Sequence, residues 1–144
     1  MAARLFALLL CLAALAGAAS SHPATPAYRV IVNPRNPTAA IDRRFLAEAF
    51  LKKVSAWDHG EVIRPVDQEP DAPARRQFSE EVLRRSVEAV KSYWQQLIFS
   101  GREVPPPELE SDEAVVRFVL RFPGAVGYVS AGVDLRGARV LPIK

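Results

Sequence analysis

The sequence predicts an α/β protein with a small mixed sheet flanked by helices. Three observations lead there. Short β-branched runs stand at Tyr28 to Asn33 and at Ala125 to Val129. Between them lie two apolar stripes at helical spacing, Val90/Tyr93/Trp94/Leu97 and Val115/Phe118/Val119/Phe122. Strand and helix signals alternate along the chain, the pattern of a layered α/β fold.

Each element has its own justification. Tyr28-Arg-Val-Ile-Val-Asn33 alternates and is stopped by Pro34 and Pro37, which remove donors and fix the backbone. Asp42 reads as the N-cap of a helix running to about Lys52, with Leu46, Ala49 and Phe50 on one face. Trp57 follows in a loop and Asp58-His-Gly60 is a turn. Val62 to Val66 reads as a short second strand because Pro65 sits in it. Pro73 fits the first position of the next helix, with Asp71 or Ala72 as its cap. Another helix begins near Ser86 and closes at Ser100-Gly101. Pro105-Pro-Pro107 is an extended spacer. Ser111, followed by Asp112 and Glu113, starts a helix that Pro123-Gly124 ends. A buried strand at Ala125 to Val129 and a last one at Arg139 to Ile143 complete the set. The two apolar stripes are core faces, with no cofactor role, and Trp57 and Trp94 are expected to be buried anchors.

The first 27 residues read differently. Arg4, an uncharged apolar run from Leu5 to Leu15 and the small residues Ala16-Gly17-Ala18 form the pattern of a cleaved secretory signal peptide. Residues 1–18 are therefore expected to be the signal, 19–27 a flexible tether, and 28–144 a single domain. The only cysteine, Cys11, lies inside the apolar run, so the expected mature chain has no disulfide and no thiolate chemistry. This composition suits a bacterial periplasm, with no stable membrane insertion after cleavage.

Several function classes are set aside. The net charge is +3 and the basic residues are scattered, so nucleic-acid binding is not expected. The two histidines, His22 and His59, do not make a metal site with the carboxylates near them. No Gly-x-Ser-x-Gly elbow is present, and the acids Glu108 to Glu113 stand at a helix start, where dipole reasons suffice for them. No enzyme, cofactor or metal is expected.

Three segments in order carry a resemblance: Ala49-Phe-Leu-Lys-Lys53 with Ala56-Trp57, Pro65-Val-Asp67 running to Arg75-Arg-Gln-Phe78, and Gly124-Ala-Val-Gly-Tyr128. From about Tyr28 onward the chain resembles one lobe of the bacterial periplasmic phosphate-binding proteins, the substrate-binding components of phosphate ABC transporters, in a single-lobe short form. The resemblance implies one lobe of a type II periplasmic solute-binding fold. It also implies phosphate or another small oxyanion as ligand, and an ABC permease or another periplasmic protein as partner. The family's Ser-Gly-Thr helix start falls on Ala72-Pro73-Ala74, which supplies no hydroxyl. Backbone amides at a helix start attract anions. The candidate ligand residues are therefore Ala74, Arg75 and Arg76, with Arg102 as a further cation. Arg75 and Arg76 have a second reading as a solvated first turn, and Arg102 as a partner of its helix's last carbonyls. The alternative function is a protein–protein adaptor that has lost its ligand.

Overall fold

The computed structural model describes residues 27–144; the expected signal peptide and nearly all of the tether lie outside the described residues. The elements in order are β1 (Tyr28–Val32), α1 (Arg43–Phe50), β2 (Arg64–Pro65), β3 (Asp67–Gln68), α2 (Pro73–Phe78), a π-helical turn (Ser79–Leu83), α3 (Val87–Phe99), β4 (Glu108–Leu109), α4 (Asp112–Arg121), β5 (Ala125–Ser130) and β6 (Arg139–Val140). The main sheet has the order β2-β5-β1-β6. Its centre is the antiparallel pair β1/β5, in register from Tyr28 opposite Ser130 to Val32 opposite Val126. β2 runs parallel to β5 and β6 antiparallel to β1, so the sheet is mixed as expected.

Strand alternation sorts the core into two layers. Tyr28, Val30 and Val32 of β1, with Val126 and Tyr128 of β5, face a cluster that holds Leu46, Phe50, Phe78, Val90 and Trp94 from α1, α2 and α3. Ile31, Ala125 and Val129 face the other way, onto Val115, Val116 and Val119 of α4. In α4 the fully buried positions are Val115, Val116 and Val119, while Phe118 and Phe122 only pack at the edge.

Three helix starts follow from their caps. The Asp42 carboxylate accepts from the Arg44 and Phe45 amides, the Ser86 hydroxyl from Ala89, and the Ser111 hydroxyl from Ala114. α1 ends at Phe50, short of Lys52, which takes a left-handed φ of 54° just beyond it. The strand expected at Val62 to Val66 divides in two. The Arg64 and Val66 amides donate to the carbonyls of Gly124, just before β5, and of Val126 within it, so the missing N–H of Pro65 falls on the open edge, where none is needed. Asp67–Gln68 then leaves the main sheet and pairs in parallel with β4, a strand that no sequence signal had marked after the triple proline. The last expected strand is likewise split. Beyond Val140 the chain turns to Ile41, which exchanges backbone bonds with Pro142 and Lys144.

Both glycines of Gly124-Ala-Val-Gly-Tyr128 are packing requirements. A Cβ on Gly127 would lie 2.7 Å from Val115 Cγ1 and 2.8 Å from Val66 Cγ1. One on Gly124 would lie 1.9 Å from the Val62 carbonyl oxygen, which is backbone and cannot rotate away. Gly127→Ala is expected to destabilise the fold by about 1–3 kcal/mol through overpacking, and Gly124→Ala by more. Urea unfolding checks this: the midpoint should fall in that order with an unchanged m-value.

Candidate functional site

Three of the four residues singled out, Ala74, Arg75 and Arg76, lie in the first turn of α2, and the surroundings reshape their roles. Ala72 is the N-cap and makes no side-chain bond; Asp71 is exposed and does not cap. Pro73 has no N–H. The amides of Ala74 and Arg75 therefore start the helix without a side-chain acceptor, in contrast to α1, α3 and α4. The Ala74 side chain is buried in the core and offers no donor.

Arg75 overturns its reading as a solvated residue: it is 3% exposed. Its Nη1 lies 3.1 Å from Asp67 Oδ1, donates to the Gln68 carbonyl at 2.5 Å, and stands 3.9 Å from Glu108 Oε2. The next residue along α2, Arg76, is exposed and forms no ion pair among the described residues. Arg102 lies in the turn after α3, away from this group. Its backbone N–H, not its guanidinium, satisfies the Leu97 carbonyl of the helix end. The structure thus unites Ala74, Arg75 and Arg76 on one helical turn and leaves Arg102 separate.

The centre of the site is Asp67, which sequence reasoning did not select. Three donors converge on its Oδ1: Arg75 Nη1, the Tyr128 hydroxyl and the Gln68 amide, the last at 3.0 Å. Gln68 extends the network. Its Nε2 donates to Asp112 Oδ1 at 2.8 Å and to the Tyr128 carbonyl at 2.8 Å, and Asp112 Oδ1 also accepts from the Ser130 amide at 3.0 Å. Asp112 therefore does more than favour a helix dipole; it ties α4 to β5 and β3. The Tyr128 ring stacks on Phe78 at 4.1 Å, which places the hydroxyl over β3. The available signal was the Asp67-Gln68 pair directly after the short strand run Val62 to Val66.

Burial pushes the Asp67 carboxyl above its ordinary range, against the opposing pull of the Arg75 charge, the Tyr128 hydroxyl and the Gln68 amide. Burial and the neighbouring Asp67 push the Tyr128 phenol up, so it acts as a donor. At the start of β1, burial and the Glu81 carboxylate push Tyr28 up to about 12. The Tyr28 hydroxyl donates to Glu81 Oε2 at 3.0 Å. Beside it, a cavity of about 260 Å³ is lined by Tyr28, Arg43, Glu81, Leu141, Pro142 and Ile143, and includes none of the expected ligand residues. No cluster of three metal-ligating side chains occurs among the described residues. Nor is any helix among them long and apolar enough to cross a membrane.

A mixed sheet covered by helices on both faces is the fold of one lobe of the phosphate-transport receptors. Solved structures make the likeness specific. The chain is similar to an ABC-type phosphate transport receptor from Vibrio cholerae (TM-score 0.62, 19% identity, 81% of this chain and 46% of that one). It is similar to PstS from Borrelia burgdorferi (TM-score 0.63, 12% identity, 82% and 47%). It is also similar to a phosphate ABC transporter substrate-binding protein from Clostridium perfringens with bound phosphate (TM-score 0.57, 18% identity, 81% and 44%). The chain spans somewhat under half the length of these receptors. No protein-family model matches the sequence, and no curated protein matches it.

Two outcomes follow. Arg75→Ala leaves the Asp67 carboxylate buried without its cation, and is expected to destabilise the protein by about 3–5 kcal/mol, read from the urea midpoint. Tyr28 binds its proton more tightly folded than unfolded. Its stabilising contribution is therefore intact below about pH 10 and lost as pH rises toward about 12. Stability against pH should fall less steeply in that window for Tyr28→Phe than for the wild type.

Proposed function

We propose that the chain is an exported, periplasmic solute-binding module that takes a small oxyanion, phosphate first, at the start of α2 and works with an ABC permease. The observation that carries this reading is the superposition of 81% of the chain on two receptors named for phosphate transport, one of them with phosphate bound. Open amides at Ala74 and Arg75 supply donors, and exposed Arg76 supplies charge. Arg102 is a second cation for the same anion only if the loop after α3 reaches it. With no hydroxyl at Ala72, Pro73 or Ala74, affinity is weak.

A second reading has one specific observation in its favour. Arg75, the buried cation of the helix start, already has a carboxylate partner in Asp67. That favours an adaptor whose partner is another protein and whose solute site is retired. Calorimetry with inorganic phosphate decides between them. Heat with a one-to-one or one-to-two stoichiometry, weakened several-fold by Arg76→Ala, supports the oxyanion reading. No heat at ~1 mM phosphate, where even weak sites fill, overturns it in favour of the adaptor.

A further inference from the structure

Asp67, Arg75, Tyr128 and Gln68 form a donor set that has a chemical meaning of its own. A guanidinium, a hydroxyl and a backbone amide converge on one oxygen, Asp67 Oδ1. Those are the three donor types that hold a small oxyanion in a protein. All of them are out of water: Asp67 is 4% exposed and Tyr128 is fully buried. The guanidinium has donor capacity to spare, since the buried Arg75 Nε meets no acceptor. The carboxylate arrives from β3, whose position is fixed independently by the Asp67 amide on the Pro107 carbonyl and the Glu69 amide on the Leu109 carbonyl. Removing the carboxylate would therefore leave its three donors aimed at the same point.

We propose that this lobe contains a built carboxylate-sized anion site whose resident ligand is the protein's own Asp67 side chain. The site takes small planar oxyanions of the formate and acetate class when the side chain is withdrawn. It is distinct from the open amides of α2, and it stands whether or not phosphate binds there. Its consequence for the wild type is that Arg75 is not available to an external solute.

The test is chemical rescue of Asp67→Ala, which deletes a group the size of formate and keeps the Cβ. The variant should melt below the wild type, and sodium formate should raise its Tm by on the order of 4 °C relative to sodium chloride at the same ionic strength. The wild type should show no such difference, and neither should the double variant Asp67→Ala/Arg75→Met. If Asp67→Ala does not fold in chloride, recovery of its circular dichroism in formate is the readout. Absence of any formate-specific effect on the variant, or equal rescue of the double variant, overturns the proposal. Phosphate calorimetry on the wild type is unaffected by either result, so the two readings fail separately.

Discussion

The constraint on which the rest of the structure depends is the convergence of Arg75 and Tyr128 on Asp67. It joins three elements: β3, the first turn of α2 just downstream of it, and the central strand β5, distant in sequence. A buried ion pair is weak evidence for net stability, because desolvation of two charges opposes their attraction. Here the balance is shifted by further donors. The Gln68 amide and the Tyr128 hydroxyl share the carboxylate oxygen, and the Gln68 carbonyl takes a second bond from Arg75. Such a network is most useful as a specifier: its directional bonds fix where α2 sits against the sheet. Phe78, one turn further along, then stacks on Tyr128 and packs against Phe50 and Tyr28, so the polar bond and the aromatic core set the same geometry.

Local physics made most of the fold legible. The three side-chain caps, Asp42, Ser86 and Ser111, are decided by residues within one turn, and all three lie where the sequence places them. The buried strand at β5 and the faces of α1 and α3 follow from periodicity alone. What was not legible depends on partners distant in sequence. β4 exists because Asp67–Gln68 pairs with it, and nothing within the proline-rich spacer encodes that. The π-helical turn at Ser79–Leu83 ends on Arg84 with a φ of 56°, a conformation that no glycine announces. Arg75 is the clearest case. Next to exposed Arg76 it reads as half of a basic pair, and only the tertiary approach of Asp67 makes it a core residue.

The motifs that carried the resemblance turn out to be mostly packing. Gly124 and Gly127 are small because Val62, Val66 and Val115 leave no room for a Cβ. Trp57 donates its indole N–H to the Gly124 carbonyl at 3.0 Å and is buried, as expected of an anchor. Phe78 and Tyr128 form the stacked pair beneath the site. These residues report the lobe's architecture, which is why they match structures of low sequence identity. They say little about the solute, because none of them would touch it.

That separation between scaffold and ligand chemistry bears directly on affinity. A helix start offers an anion two or three amides and a partial charge, an effect of roughly 0.3–1 kcal/mol when exposed. Hydroxyls and a paired guanidinium would ordinarily add charge-assisted bonds worth several times as much. In this chain the hydroxyl positions are Ala72 and Ala74, and the nearest buried guanidinium is held by Asp67. Of the three candidate residues on this helix turn only Arg76 is exposed to water, while Ala74 and Arg75 are buried. A lobe arranged in this way gains tight binding only from a second surface that closes over the α2 start and excludes that water. On the proposed reading, the strength of solute capture would be set less by the residues of α2 than by what packs against them.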